Sequence, residues 1–315
     1  MVIARMGKGN FVGCALANCA TDSQVLRTER PLLLTRRQFL SCLGGGMLTS
    51  ASGLSYARWI EPRWLEISRI TIPRISPSDF ATPVRLLHLS DFHLSSVVPL
   101  EFIAESVNLG LAEKPDVIVL TGDFFTGRPA KIDSYAAVLA RFAAAAPTFA
   151  CLGNHDGGRW AERSGGMGTI DRVLTLLGAA RITCLLNESC RIAVRGRPLQ
   201  LVGVGDLWAG MCNPGKAFGV TPPRSGAERV VLNHNPDAKD LLHPFDWDVM
   251  LSGHTHGGQV RLPLLGAPFA PVRDKRFIEG LYRWENRWMH ITAGVGNLHG
   301  IRFNCRPKVS VVTLA

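Results

Sequence analysis

The chain has 315 residues, of which 46% are hydrophobic and 19% charged, and its formal net charge is +10. This balance is typical of a globular protein with a sizeable core and excludes disorder over most of the length. No run of Lys and Arg is long enough to form a nucleic-acid-binding arm, so we expect no nucleic acid partner and a weak preference for anionic substrates or lipid surfaces.

The first segment in chain order is a predicted leader, residues 1–57. Arg36 and Arg37 lie adjacent in TRRQFL, and a weakly apolar stretch rich in Gly, Ala and Ser follows, ending at Ser55 and Ala57. This pattern resembles a twin-arginine export signal, which implies the twin-arginine translocase as a partner; an ordinary basic turn before a helix is the alternative. We expect an exported protein, periplasmic or anchored at the outer face of the inner membrane. Cleavage at Ala57 and retention as an anchor both stay open.

The body of the chain, predicted as one domain over residues 58–315, alternates strand-like and helix-like segments. An edge strand is expected within 61–75, and helices within 99–114, 134–146, 169–180 and 236–242. Apolar runs that begin each predicted strand are VRLLHL, DVIVLT, TFACL, LQLVGV, RVVL, DVML and MHITA. Because these strands are apolar on both faces and alternate with helices, the pattern predicts an α/β fold with buried sheets.

Polar side chains follow these strands at the point where each strand ends. In α/β folds the carboxyl ends of strands gather ligands. The residues in these positions are Asp91, His93, Asp123, Asn154, His155, Asp156, His234, His254 and His256. Carboxylate, amide and imidazole groups are ligands suited to Mn, Fe or Zn. The spacing of two in Asp91–His93 and in His254–His256 places both side chains of each pair on one side of an extended segment.

The order of these blocks resembles the calcineurin-like metallophosphoesterases. The blocks are D-F-H at 91–93, G-D at 122–123, G-N-H-D at 153–156, His234, and G-H-T-H at 253–256. The strings LSGHTHGGQVRLP and GIRFNCRP further resemble the YkuE/YaeI-type phosphodiesterase branch. The resemblance implies a four-layer α-β-β-α sandwich of two mixed β-sheets flanked by helices.

The resemblance also implies a dinuclear centre and a role for each residue. One divalent ion is expected on Asp91, His93 and His256. The second is expected on Asn154, His234 and His254, with Asp123 bridging the two ions. The two ions would clamp a phosphate and generate a hydroxide nucleophile between them.

Four further residues receive roles from the same resemblance. His155 is expected to contact the phosphate or to protonate the leaving alkoxide, and Asp156 to orient His155. Arg302 and Asn304, in the RFN string, either bind phosphate or brace their loop.

The remaining histidines, Asp206, the tryptophans and the cysteines are expected to have mainly structural roles. His88, His243, His290 and His299 match no block and are expected to be structural, although His299 lies near the predicted site. Asp206 is expected to be structural or to support the site from outside the ligand set. The tryptophans at 59, 64, 160 and 208 are expected to pack. Cys184 and Cys190 either pair or are buried thiols.

The predicted function is metal-dependent hydrolysis of a phosphodiester, which is lipid-linked if the apolar segments LPLLGAPFAP and WAGMC form a lipid-facing mouth on a membrane surface. One alternative is a hydrolase of the UDP-2,3-diacylglucosamine pyrophosphatase type, and another is a phosphomonoesterase. An alternative from a different class is a metal-binding scaffold without catalysis, which the complete ligand set disfavours.

Overall fold

The computed structural model describes residues 52–73, 82–128, 132–219 and 226–315. The arginine pair of the predicted export signal lies outside these residues. None of the helices in the described ranges combines the length and the apolar character needed to cross a bilayer. A π-helical turn, Tyr56–Ile60, runs across the predicted boundary between leader and domain, and that boundary stays a prediction.

Two β-sheets form the centre of the fold, and their strands are numbered here in chain order. The strands are β1 (Glu66–Ile72), β2 (Val84–Leu89), β3 (Val117–Thr121), β4 (Thr148–Cys151), β5 (Thr183–Cys184), β6 (Glu188–Val194), β7 (Arg197–Gly203), β8 (Glu228–Leu232), β9 (Val249–Ser252), β10 (Gly280–Trp284), β11 (Arg287–Ile291) and β12 (Lys308–Leu314). Each of the predicted strands is present, and the expected edge strand, β1, lies at the edge of its sheet.

Both sheets are mixed. The first has the order β1–β12–β2–β3–β4–β5, in which β12 runs antiparallel to β2 and the other neighbours are parallel. The second has the order β10–β11–β9–β8–β7–β6, with antiparallel pairs only at its two ends. The parallel strands β2, β3 and β4 of one sheet and β8 and β9 of the other are buried along their whole length or nearly so.

Helices cover the outer faces of the sheets. Their bounds are α1 (Leu100–Ala112), α2 (Ile132–Ala145), α3 (Arg159–Arg163), α4 (Asp171–Ala179), α5 (Pro214–Phe218) and α6 (Lys239–Leu242). Apolar residues of α1, α2 and α4 form one core with the first sheet, and α5 and α6 contribute to another with the second sheet. A third core lies between the sheets. These layers confirm the predicted α-β-β-α sandwich.

Polar contacts also join the two sheets through the third core. His88 on β2 and His290 on β11 are both buried, and their Nδ1 atoms lie 3.0 Å apart. The other ring nitrogen of His88 lies 2.9 Å from the Thr121 hydroxyl at the end of β3. This chain of polar groups fixes how the ends of β2, β3 and β11 meet, so the expectation of a structural role fits both histidines.

The cysteines in the described ranges are free thiols, and Cys184 and Cys190 are not paired. Burial raises the pKa of Cys184 to about 12, with the charge of Asp156 adding to the effect. The buried-thiol alternative therefore describes Cys184 better than a disulfide does.

Truncation in the core between the sheets should destabilise the fold. Leu201 on β7 is fully buried there, so Leu201→Ala should lower the free energy of unfolding by about 2–5 kcal/mol. Denaturant unfolding followed by circular dichroism measures this. The matched control is Leu174→Ala on α4, where the leucine is 39% exposed; an equal loss in both variants would contradict the assigned layers.

Candidate metal centre

The predicted ligands come from both sheets and meet at one edge of the sandwich. Asp91 and His93 follow β2, Asp123 follows β3 and Asn154 follows β4, whereas His234 follows β8 and His254 and His256 follow β9. All seven side chains are buried. Two hydrogen bonds cross between the sheets here: the His254 N–H donates to the Asp91 carboxylate at 3.0 Å, and the His234 ring donates to the Thr121 carbonyl at 2.6 Å.

One group of possible ligands is Asp91, His93 and His256. The Asp91 Oδ1 atom lies 3.3 Å from His256 Nε2 and 3.8 Å from His93 Nε2. The two ring nitrogens lie 3.1 Å apart. Ligand atoms at bonds of 2.0–2.1 Å to a tetrahedral ion are separated by about 3.4 Å. The three atoms therefore have the spacing of a coordination shell, and they are the set expected for the first ion.

A second group of possible ligands is Asp123, His234 and His254. The Asp123 Oδ2 atom lies 3.1 Å from His234 Nε2 and 3.4 Å from His93 Nε2, so this carboxylate faces a ring from each group. That position is the one expected of a bridging ligand. The geometry also places His93, Asp123 and His155 within ligand distance of one another.

The outer ring nitrogens of two ligands are held by backbone carbonyls. His234 Nδ1 bonds to Thr121 O at 2.6 Å, and His254 Nε2 bonds to Pro271 O at 3.1 Å. A carbonyl only accepts, so each of these nitrogens carries the proton. In the neutral rings the lone pairs are then on His234 Nε2 and His254 Nδ1, which point into the site.

The side chains present fit bound metal ions. The facing nitrogens of His234 and His254 are 3.2 Å apart, so either a proton or a metal ion is needed to relieve the repulsion between their lone pairs. The Oδ1 atom of Asn154 is buried without a hydrogen-bond partner among the described residues. An unpartnered buried amide oxygen is costly, and a metal ion would satisfy it.

The charges of the site favour ionised carboxylates and a neutral His254 ring. Burial alone would lower the pKa of His234, but Asp123 and Asp91 outweigh it and hold that pKa well above its ordinary value. Burial alone would raise the pKa of Asp123, but the neighbouring His234 and His155 outweigh it and hold that pKa well below its ordinary value. Burial lowers the pKa of His254 to about 3, with repulsion from His234 adding to it. Neutral imidazole and ionised carboxylate are the forms that coordinate metals.

Five of the predicted ligands have left-handed backbone conformations, so the expectation that Asp91–His93 and His254–His256 lie on extended segments is wrong. Their φ angles are +55° at Asp91, +49° at His93, +58° at Asp123, +68° at His254 and +50° at His256. Asp, Asn and His adopt this region more readily than other non-glycine residues, but it remains uncommon. Clustered strain of this kind is typical of functional sites, where the surrounding structure holds it in place.

Gly253 allows the GHTH loop to approach the first sheet. A Cβ atom at this position would overlap the Ser90 hydroxyl and the Asp91 carboxylate. A side chain would therefore displace a predicted ligand of the first ion. The next glycine in the loop, Gly257, has a φ of +60° and completes the turn beneath His256.

Asp156 braces backbone and makes no hydrogen bond to the His155 ring. Its carboxylate accepts from the N–H groups of Asp123 at 2.8 Å, Phe124 at 2.7 Å and Gly153 at 2.7 Å. Burial raises the pKa of Asp156 to about 7, although these donors counteract the rise. Asp156 thus positions the loop that carries Asp123. This contact is different from the orientation of His155 that we expected.

His155 lies beside the ligands and contacts Trp160, which in turn contacts Trp208. Its backbone N–H donates to Asp123 Oδ1 at 2.9 Å. Its ring contacts the ring of His93 edge to face, with 4.9 Å between the centroids. Trp160 contacts His155 at 4.6 Å and Trp208 at 5.7 Å, and Trp208 contacts His254 at 4.3 Å between ring centroids. The two tryptophans therefore pack as expected, and in doing so they border the site.

Arg302 is fully buried and braces the loops beneath the site. Its guanidinium donates to several backbone carbonyls, among them those of His256 at 3.3 Å, Ala293 at 2.8 Å and Gly296 at 2.6 Å. These contacts favour the bracing alternative over phosphate binding. Asn304 is exposed, and its amide donates to the Arg261 carbonyl at 3.2 Å.

Asp206 is a buried carboxylate near the ligands. Burial raises its pKa to about 6 against the opposing charge of His234. Its Oδ1 accepts from the Ala209 N–H at 2.8 Å, which supports the structural expectation. His243 and His299 are exposed, and His243 pairs with Glu285 at 3.1 Å.

Several supporting groups could not be located from the sequence. The Thr126 hydroxyl lies 2.7 Å from His93 Nδ1, and the Thr121 and Pro271 carbonyls hold His234 and His254. Thr121 and Thr126 flank the GD block, which is a weak local signal. Every residue has a backbone carbonyl, so the sequence gives no indication that the carbonyl of Pro271 holds His254.

Comparison with known families agrees with this geometry. The model of the calcineurin-like phosphoesterase family matches residues 84–258, a range that contains all seven predicted ligands. The chain belongs to the calcineurin-like phosphoesterase family.

Relatives of this calcineurin-like phosphoesterase span nearly its full length. It is 42% identical to phosphodiesterase YaeI of Escherichia coli, over 90% of this chain and 100% of the relative. It is 30% identical to the metallophosphoesterase YkuE of Bacillus subtilis, over 89% and 98%. It is 27% identical to the UDP-2,3-diacylglucosamine pyrophosphatase LpxG of Chlamydia muridarum, over 84% and 95%. The protein is therefore a metallophosphoesterase, a hydrolase of phosphoric esters.

Replacing the Asp123 carboxylate with a neutral amide should lower the number of bound metal ions. Asp123→Asn should lower the content of a manganese-loaded protein from two ions per chain to one or fewer, because the amide cannot neutralise two cations. Elemental analysis after desalting measures this. The control is Asp171→Asn, an exposed carboxylate on α4; two ions retained in Asp123→Asn would contradict the bridging role.

A methyl group at Gly253 should weaken metal binding by at least about tenfold, because it displaces the Asp91 carboxylate and a shift of about 1 Å in a site has effects of this size. Competition with a chelator measures the affinity. Gly178→Ala is the matched control, since no atom lies within 4 Å of its added Cβ and Ala favours the helix. Unchanged affinity in Gly253→Ala would refute the close approach.

Proposed function

We propose that this metallophosphoesterase hydrolyses a phosphodiester, and that the diester is lipid-linked. The observation that carries the proposal is the complete ligand set in a chain that aligns with all of phosphodiesterase YaeI at 42% identity. The relationship to LpxG, whose named substrate carries two acyl groups, supports a lipid-linked substrate.

Two apolar surfaces beside the site support a diester over a monoester. Trp160 and Trp208 border it near His155 and His254. A second surface, an apolar cavity of about 380 Å³, is lined in part by His256. A phosphodiester carries two organic substituents, and these two surfaces provide a place for each of them. A monoester would use only one.

The residues divide the work as follows. Two divalent ions, Mn, Fe or Zn, would supply charge neutralisation on the phosphate oxygens and activate a water molecule. Asp123 holds the two groups of ligands at a fixed separation. The backbone N–H of His155 donates to the same carboxylate, which leaves the His155 ring free for the substrate. Burial lowers the pKa of the His155 ring to about 4. The negative charge of a phosphate beside the ring opposes this shift and favours the protonated form, in which His155 would contact the phosphate and donate a proton to the leaving alkoxide.

We also propose that the protein is exported by the twin-arginine translocase and acts in the periplasm or at the outer face of the inner membrane. The adjacent Arg36 and Arg37 in TRRQFL support this route. Translocation of a folded protein suits a centre assembled from both sheets. The competing function is that of a cytoplasmic pyrophosphatase acting on UDP-2,3-diacylglucosamine. The relationship to LpxG is the observation that supports this alternative.

The manganese-loaded protein should turn over bis-p-nitrophenyl phosphate faster than p-nitrophenyl phosphate. His155→Ala should lower kcat for the diester by about 10²–10⁴-fold, a typical contribution of general acid catalysis, while the metal content stays at two ions. The control is His243→Ala, an exposed histidine paired with Glu285. Preference for the monoester would overturn the diester assignment, and faster hydrolysis of UDP-2,3-diacylglucosamine than of any diester would favour the pyrophosphatase.

A further inference from the structure

A short hairpin beside the site carries three exposed apolar side chains. Leu262 and Gly266 exchange backbone hydrogen bonds of 2.7 and 2.9 Å, which close a tight turn. At and beyond its tip, Leu264 is fully exposed, Leu265 is 72% exposed and Phe269 is 71% exposed. We call residues 262–269 the apolar hairpin. Contiguous exposed apolar groups of this kind mark interaction sites.

The conformation of Leu264 strengthens this interpretation. Its φ is +67°, a region that is strained for a leucine and in which glycine would be unstrained. A leucine here costs strain energy and gains nothing from burial. Because its side chain is fully exposed among the described residues, no contact there compensates for the strain, which points to a partner outside the domain.

Cationic residues flank the hairpin in the sequence. Segment 261–276 contains Arg261, Arg273, Lys275 and Arg276; Arg261 pairs with Glu279 at 3.2 Å and Arg276 with Asp274 at 2.7 Å. Arg273 is exposed, and the Lys275 ammonium donates to the Ala270 carbonyl. An apolar tip above a cationic base is the pattern of proteins that lie in the interface of an anionic bilayer, where the tip enters the acyl region and the cations meet the head groups.

The hairpin adjoins the apolar cavity of about 380 Å³. Phe269 and His256 both line it, together with the apolar residues Val260, Leu298 and Ile301. Its volume lies in the range of pockets that enclose small ligands. One cavity is therefore lined both by a residue of the hairpin and by a predicted metal ligand.

The turn Tyr56–Ile60, which runs across the predicted end of the leader, contacts the same region. The Ala57 carbonyl accepts from the Arg302 N–H at 2.9 Å, and Arg58 donates to the Gly300 carbonyl at 3.3 Å. Trp59 and Ile60 in this turn are more than half exposed. The exposed apolar residues of the turn thus adjoin the loop that lines the cavity, and they extend the apolar surface on this side.

We propose that this face docks on an anionic phospholipid bilayer, with Leu264 and Leu265 inserted among the acyl chains, and that the cavity receives an acyl chain of the substrate. The substrate class is then a membrane-embedded lipid phosphodiester, drawn from the bilayer without crossing water. The assignment of the acyl chain rests on the proposed diesterase function, whereas the docking does not.

The full chain should bind vesicles of phosphatidylcholine and phosphatidylglycerol more tightly than vesicles of phosphatidylcholine alone, and salt should weaken this binding. Hydrogen–deuterium exchange with and without vesicles then locates the contact. Amides of residues 262–269 should gain protection, and those of α4 should not. Binding through any other part of the chain leaves the exchange of residues 262–269 unchanged and overturns the proposal.

The double variant Leu264→Asp/Leu265→Asp tests the hairpin directly. It should lower the vesicle partition coefficient through this face by more than about tenfold and abolish the protection of residues 262–269. Leu174→Asp, an exposed leucine on α4, is the control and should do neither. If sedimentation instead shows that the wild-type chain is a dimer which the double variant dissociates, with no vesicle binding, the face joins two copies and the proposal fails.

These measurements need no turnover, so they separate docking from chemistry. Failure to hydrolyse bis-p-nitrophenyl phosphate would overturn the diesterase function while the protection of the hairpin stands. For the cavity, Ile301→Asp should reduce hydrolysis of a vesicle-embedded lipid diester at least about tenfold relative to the soluble diester. An unchanged ratio would overturn the assignment of the acyl chain.

Discussion

The burial of two carboxylates, Asp91 and Asp123, is the constraint on which the rest of the structure depends. A buried anion without partners is prohibitively costly. Here the cost is offset by backbone N–H groups, by imidazole rings from both sheets and, in a loaded protein, by metal ions. Because Asp91 accepts from the His254 N–H, the same charge that holds metal also joins one sheet to the other. Fold and site therefore share one set of contacts.

Much of this arrangement could be predicted because polar residues at the ends of apolar strands follow a simple geometric rule. The runs before Asp91 and Asp123 are apolar on both faces, which indicates buried parallel strands, and parallel strands deliver the residues after them to one edge. The residue types reinforce the rule. Aspartate and histidine serve as ligands and also tolerate the left-handed backbone that turns them inward, so one short motif specifies both the turn and the chemistry.

The contacts that the sequence did not disclose depend on how separate loops approach each other. Asp156 was expected to orient His155, but its carboxylate instead collects three N–H groups from two loops. The sequence left two roles for Arg302, phosphate binding and bracing of its loop. Its full burial among backbone carbonyls favours the bracing role. The pairing of His88 with His290 crosses the two sheets. Local patterns carry no information on such encounters, because they are settled by packing between distant segments.

The position of β12 between β1 and β2 has a consequence for how the protein is made. The edge strand β1 cannot join the rest of the first sheet until a strand more than two hundred residues further along the chain is inserted between β1 and β2. Such long-range pairing is slow, because a large loop must close before the contacts form. The loop that carries Arg302 immediately precedes this strand. The metal ligands therefore emerge from the ribosome before Arg302 and β12, and the loops that Arg302 braces reach their final arrangement late in folding.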